Sequence, residues 1–317
     1  MSPQPAPPSS TPSLSGVLPV FQTPFNDDET IDVETLEREI HWLYDRGADG
    51  IVMAMVSEVL RLTTEERRTL AELACCFCRE RGAVVVSVGA ESTFAAERYA
   101  THAEENGAAA VMAIPPVSIA VTESELMRYY QRITRAIKIP VIVQDASGYV
   151  GRPMSIALQT KLLDEFGPDR VLFKPEATPI GPRLSELRSA TGGRAKVFEG
   201  TGGLALVDSF RRGIVGTMPG ADLIRAIVAL WRALRNGDEW AVYQISTPLA
   251  ALVSMQNSLD AFLAIEKYLL VKQGVFRNAI VRGPVGYVMD DQTRTEVDRL
   301  FELLMAAISK AAGDAHD

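Results

Sequence analysis

Eight short apolar runs, each separated from the next by a segment of helical period, limit what this chain can fold into more than any other feature. The runs span 17–22, 50–54, 84–88, 109–114, 141–145, 171–174, 196–199 and 214–218. Amphipathic stretches at 32–45, 64–81, 93–106, 123–136 and 154–166 lie between them. Near-continuous apolar strands at this spacing predict parallel strands covered by helices, since only burial on both faces removes the need for alternation. The joints Gly47-Ala-Asp-Gly50, Gly107-Ala-Ala-Ala110 and Gly213-Ile-Val-Gly216 put glycine just past a helix end, where a left-handed cap redirects the chain. Eight such units predict an α/β fold of the closed (β/α)8 barrel type. An open doubly wound sheet is the alternative, but no G-x-G-x-x-G follows the first run.

More helix follows than a barrel needs, at 221–234, 239–253, 259–271 and 291–312. The expected division is a barrel over 16–235 and a helical extension over 236–317, which either packs on the barrel or forms a subunit contact. Residues 1–15 are rich in Pro and Ser and predict disorder. They lack a basic start followed by an apolar stretch, so they do not read as a signal peptide. With 47% hydrophobic and 23% charged residues the chain is an ordinary globular one. A net charge of −8 argues against nucleic acid as a partner, and no apolar run reaches membrane-spanning length. Cys75, Cys76 and Cys78 crowd one helix with no histidine near in sequence, which favours packing over a metal site. An odd cysteine count without an export signal fits a reducing cytoplasm.

The candidate reactive group is Lys174, which ends the run Arg170-Val-Leu-Phe-Lys174 just before Pro175-Glu176. A barrel does its chemistry at the C-terminal ends of its strands. An amine held there among apolar side chains loses charge more easily, and a neutral amine attacks a 2-oxo carbon to form a Schiff base. The bland alternative is a strand-end lysine that snorkels to solvent. Other strand ends contribute Thr23, Ser57-Glu58, Gln144-Asp145, Glu176, Glu199-Gly-Thr-Gly-Gly203 and Gly216-Thr-Met-Pro-Gly220. Glycine-rich turns let backbone N–H groups approach an anion, or simply turn tightly into the next helix. Glu58 and Glu176 either face substrate or bond to loop backbone.

The order Gly16-Val-Leu-Pro-Val-Phe-Gln-Thr-Pro-Phe25, Ser57-Glu58, Leu62-Thr63, Glu65-Glu66-Arg67, Ala113-Ile-Pro-Pro116, Ile139-Pro140 and Phe173-Lys174 resembles the dihydrodipicolinate synthase/N-acetylneuraminate lyase family. The resemblance runs from Gly16 to the C-terminus. It implies a barrel with a helical C-terminal extension, imine chemistry on a strand-six lysine (here Lys174), a small 2-oxo acid substrate and a homodimer or homotetramer. Three departures stand out. Ala54-Met-Val-Ser-Glu58 replaces the family's Gly-Thr-Thr-Gly-Glu, Gln144-Asp145 replaces a Tyr-Asn pair, and the carboxylate-recognising arginine is replaced near Tyr149. The lost tyrosine disfavours both synthase and sialic acid lyase. Val143-Gln-Asp-Ala146, Phe173-Lys174-x-Glu176-x-x-Pro179 and Glu199-Gly200 resemble instead the L-2-keto-3-deoxyarabonate dehydratase branch, although the Gly200–Gly203 loop is less like it.

These readings define the expected site. Lys174 carries the imine, and Glu58, Glu176 or Ser57 moves protons, with Gln144 as a hydrogen-bonding group that has no proton to titrate. Ser57 and the backbone near Val56 receive the substrate carboxylate, and Asp145, Gly200, Thr201 and Gly216 complete the binding ring. The iminium itself polarises the substrate, so neither metal nor cofactor is expected; His41, His102 and His316 lie on helices or the tail. The expected activity is dehydration of a 2-keto-3-deoxy sugar acid to 2-oxoglutarate semialdehyde. The alternatives are a pyruvate-releasing class I aldolase and a non-catalytic 2-oxo acid binding barrel.

Overall fold

The computed structural model describes residues 14–79, 81–147 and 151–313. The disorder expectation for 1–15 falls outside the described residues except at Leu14 and Ser15, of which Leu14 packs against the barrel interior, and the replaced arginine near Tyr149 lies outside them. The fold is a (β/α)8 barrel followed by C-terminal helices. The eight strands are β1 Gly16–Val17, β2 Gly50–Val52, β3 Ala83–Ser87, β4 Ala110–Ala113, β5 Val141–Asp145, β6 Val171–Pro175, β7 Phe198–Glu199 and β8 Gly216–Thr217. All pair in parallel, β2 through β6 in sequence order and β1-β8-β7 as a second arc. Single bridges, Val20 to Val52 and Phe173 to Val197, join the arcs into a ring.

The first run pairs over less than its predicted length because Pro19 has no N–H to give the ladder. Its carbonyl still accepts from Val52 N at 2.9 Å. Glycine is required at β8, where a Cβ on Gly216 would meet the Phe198 ring at 2.7 Å and also strike the Gly16 carbonyl.

Helices α1 Val33–Asp45, α2 Thr64–Phe77, α3 Thr93–Glu105, α4 Glu123–Ala136, α5 Ile156–Phe166, α6 Ile180–Ala190, α7 Leu206–Arg211 and α8 Ile224–Asn236 cover the barrel. Several begin at side-chain caps: Asp32 accepts from Thr35 N, Thr63 from Glu66 N and Ser155 from Leu158 N. Such caps satisfy otherwise orphaned donors. Cys75 and Cys78 are buried between α2 and its neighbours, and burial pushes their thiols up to about 11 and about 12.

The barrel interior is packed solid by Leu18, Val20, Val52, Ala54, Val85, Ala110, Met112, Ile142, Leu172, Phe198 and Met218. On a strand the same face returns every second residue. The inward face therefore climbs from Ile142 to Gln144, from Leu172 to Lys174 and from Phe198 to Gly200.

Three more helices follow: α9 Glu239–Val253, α10 Leu259–Lys272 and α11 Asp291–Gly313. Helix α9 packs between α8 and α11, whereas α10 packs on the 3-10 turn Met55–Ser57 at the barrel mouth. A buried ion pair fastens α10 there. Lys267 pairs with Glu58, both side chains sealed from solvent, and donates to the carbonyls of Thr23 (2.8 Å) and Ile280 (2.6 Å). Burial depresses the Lys267 ammonium pKa while the Glu58 carboxylate opposes that shift. Glu58 adopts φ 59°, a left-handed conformation that costs free energy for a non-glycine residue. Its second oxygen accepts from Arg282 N at 3.1 Å, so two long-range partners hold it there.

Beside this pair lies a group of buried acids. Glu39 accepts from Gln22 N at 2.9 Å, and Glu266 accepts from the Gln22 side chain and from Ala221 N. Burial raises the Glu39 carboxyl to about 8 and that of Asp222 to about 7, and holds Glu266 well above its ordinary value.

Two outcomes follow for stability. Lys267→Met leaves Glu58 buried without its counter-charge and should cost about 3–5 kcal/mol, measured as urea unfolding. The double variant Lys267→Met/Glu58→Gln should recover much of that loss. Glu39 is held protonated in the fold above its ordinary 4.5, so its contribution is complete below 4.5 and is lost as pH rises through about 8. Glu39→Gln, which keeps the acceptor for Gln22 N, should therefore gain stability relative to the parent as pH rises across that window. A constant difference in urea midpoint at all pH values would contradict this.

Candidate active site

At the mouth the inward face turns polar. The cleft is lined by Val20, Ala54, Met55, Val56, Gln144, Lys174, Glu176, Gly200, Gly202, Met218, Pro219, Gly220 and Phe262, around about 20 Å³ of unfilled space. Gln144 and Lys174 are direct cross-strand partners on β5 and β6, which brings the amide and the amine side by side. Lys174 is 4% exposed. Its Nζ lies 3.0 Å from Glu176 Oε1, and Glu176 Oε2 accepts from Gln144 Nε2 at 2.8 Å. The carboxyl thus bridges the amine and the amide, with both oxygens engaged.

Burial drives the Glu176 carboxyl above its ordinary range, and Lys174 and Gln144 pull it back only in part. Glu199, behind it, pushes in the same direction as burial. Glu199 is itself held by Thr217 Oγ1 at 2.7 Å and by the amide and hydroxyl of Thr201. A carboxyl that favours its neutral form accepts a proton from a neighbouring ammonium at lower cost. Glu176 is therefore placed to exchange a proton with a group bonded at its Lys174 side.

Gly200 leaves room for the Lys174 and Glu176 side-chain ends: a Cβ at that position would stand 2.5 Å from Lys174 Cε and 2.7 Å from Glu176 Oε1, so a larger residue would push the pair aside. The backbone of β7 is thereby brought against the reactive pair.

Five of the ten residues expected from the sequence line the cleft: Lys174, Glu176, Gln144, Val56 and Gly200. The others do not. Glu58 follows the 3-10 turn, which breaks the strand period, and its carboxylate is turned to Lys267. The Ser57 hydroxyl donates to Phe21 O at 2.5 Å and accepts from Ala54 N at 3.1 Å, while Ser57 N–H closes the turn onto Ala54 O. Asp145 lies one residue out of phase with Gln144, and its carboxylate accepts from Ser147 N and Met154 N at 3.1 and 2.9 Å. Thr201 binds Glu199 rather than the cleft. Gly216 lies at the start of β8, opposite Gly16, and the cleft is lined instead by Met218 two residues on.

Two contributors were not anticipated. Phe262 reaches the cleft from α10, well beyond Gly220, the last lining residue of the barrel, and nothing local to its sequence marks it. Lys267 is a second buried lysine, and its apolar helical context gives no hint of its charge partner. Among the described residues no cluster of three or more His, Cys, Asp or Glu is arranged to hold a metal ion. No helix among them is long and apolar enough to cross a membrane.

The protein is thus a (β/α)8 barrel with a buried lysine–carboxyl pair at the end of its sixth strand. The chain belongs to the dihydrodipicolinate synthetase family, which matches it over residues 13–303. Among its relatives is an L-2-keto-3-deoxyarabonate dehydratase of Azospirillum brasilense, 30% identical over 297 residues, covering 91% of this chain and 94% of that protein. Another is the probable 2-dehydro-3-deoxy-D-pentonate aldolase YjhH of Escherichia coli K12, 31% identical over 150 residues, covering 47% of this chain and 50% of that protein. The crystal structure of dihydrodipicolinate synthase from Rhodopseudomonas palustris superposes with a TM-score of 0.83 at 25% identity, covering 93% and 99% of the two chains.

Gly200→Ala should displace the Lys174–Glu176 pair and lower turnover at least about tenfold while leaving the melting temperature within a few degrees; a cost of that size corresponds to about 1.4 kcal/mol in the barrier. Unchanged turnover would mean that the close approach of β7 is incidental.

Proposed function

We propose that this protein is a lyase that forms an imine between Lys174 and the 2-oxo carbon of a 2-keto-3-deoxy sugar acid. The observation that carries this reading is the sealed Lys174–Glu176–Gln144 triplet at the barrel mouth. Lys174 Nζ adds to C2, the carbonyl oxygen leaves as water, and the iminium becomes the electron sink. The substrate carboxylate lies against the turn at Met55 and Val56, and Phe262 covers the apolar side of the cleft. Glu176, bonded to Lys174, is the proton-transfer group in place of the absent tyrosine.

Two bond-breaking steps are open to that iminium. In the first, Glu176 takes the C4 hydroxyl proton, C3–C4 breaks, an aldehyde leaves, and the enamine is protonated and hydrolysed to pyruvate. In the second, Glu176 takes the C3 proton and returns it to the C4 hydroxyl, which leaves as water, and hydrolysis of the remaining imine frees the dehydrated keto acid and Lys174. Carbon–carbon cleavage, ranked second on the sequence, has the wider support, because aldolase and synthase names recur among the relatives. Dehydration is the second reading, favoured by the near full-length similarity to the Azospirillum dehydratase and by Gln144, which leaves Glu176 free of a competing phenol.

The test is borohydride reduction during turnover of a 2-keto-3-deoxypentonate, read by peptide mass, with released pyruvate measured in parallel. A pyruvate-sized adduct on Lys174 with free pyruvate supports cleavage; an adduct smaller than substrate by one water, without pyruvate, supports dehydration. Lys174→Ala should lose all adduct and turnover. Glu176→Gln should still form adduct yet turn over about 10²–10⁴-fold more slowly. Absence of any adduct with pyruvate or sugar acid would overturn the imine reading.

A further inference from the structure

A second concavity, of about 580 Å³, lies on the outer side of α8 where it meets the end of α1, the start of α9 and the last turns of α11. It shares no lining residue with the cleft. Three arginines, Arg46, Arg225 and Arg232, line it above an apolar floor that includes Val228, Ile245 and Ile308. Neither Arg225 nor Arg232 makes an ion pair or hydrogen bond through its guanidinium among the described residues. Arg46 touches only the Trp42 ring, at 5.8 Å.

The two acids on the rim are committed elsewhere. Asp45 pairs with Arg81 at 2.6 Å, and Asp238 caps α9 by accepting from Ala241 N at 2.9 Å. In a chain of net charge −8, three arginines against two acids around one concavity are a local inversion of the overall charge. Arg225 also sits in the first turn of α8, where a cation opposes the helix dipole. Helix stability therefore does not account for its presence.

The three are not evenly spread. Arg232 Nη2 lies 3.2 Å from the position a Cβ on Gly47 would occupy, so its guanidinium stands against the backbone one residue after Arg46. Arg225 is seven residues earlier on the same helix, about 10 Å along its axis. Arg46 and Arg232 both line the groove, and arginine presents forked donors that match the several acceptor oxygens of phosphate. The third can stack on a planar group lying along the apolar floor. A concavity of this size falls in the range of small-molecule sites.

We infer that this groove binds an organic diphosphate, its phosphates held by Arg46 and Arg232 and its planar or apolar body lying between Arg225 and the floor. The inference does not rest on the reaction at Lys174. The probes are ADP and inorganic pyrophosphate, titrated calorimetrically into the full-length protein. ADP should bind at one saturable site per chain and more tightly than pyrophosphate. Arg46→Gln/Arg232→Gln should weaken ADP by about tenfold or more, as loss of charge-assisted hydrogen bonds does. Arg225→Gln should weaken ADP but leave pyrophosphate unchanged. Melting temperatures and turnover of the keto acid should stay at the parent's values in all variants. Failure of ADP to bind at millimolar concentration, equal binding of ADP and pyrophosphate, or an unaltered affinity in the Arg46/Arg232 variant would each overturn the assignment.

Discussion

The rest of the structure depends on one constraint: the barrel interior is filled. Once Leu18, Val52, Val85, Met112, Ile142, Leu172 and Phe198 close the space between eight strands, no polar side chain can face inward below the last rung without losing its hydration. Polar chemistry is thereby confined to the mouth, where the inward face emerges from the packed layers. The two-residue period then decides who arrives there. Gln144, Lys174 and Gly200 follow inward apolar residues by two positions, whereas Asp145, Glu199 and Thr201 are out of phase and bond behind the cleft.

Confinement also determines the protonation of what arrives. Lys174 and Glu176 are sealed together at 3.0 Å, and a buried carboxyl meets a penalty for carrying charge. The Glu176 carboxyl is held above its ordinary range by burial and by Glu199, which favours its neutral form. The same penalty acts on Glu39, Asp222 and Glu266, which sit under the wall formed by Gly220 and Phe262.

Helix α10 links these regions. It carries Phe262 into the cleft, Glu266 into the acid group and Lys267 onto Glu58 within six residues. The first and last of these project to different parts of the mouth, so the position of the helix governs both the cleft wall and the left-handed turn at Glu58. What begins as an extension beyond the barrel becomes part of its active end.

The sequence by itself determined the eight strands, the helices that cover them, and the singular placement of Lys174 with Glu176 two residues on, since apolar runs and strand period are local properties. The same period, applied strictly, also separates Gln144 from Asp145. It could not place Glu58, because the 3-10 turn at Met55–Ser57 interrupts the period and because its partner Lys267 is 209 residues away. Phe262 was equally hidden, being one apolar residue among many on a helix whose docking face no local pattern specifies. Only the tertiary structure decided these, since a buried charge takes the partner that closure of the fold brings to it, and sequence distance carries no information about that encounter.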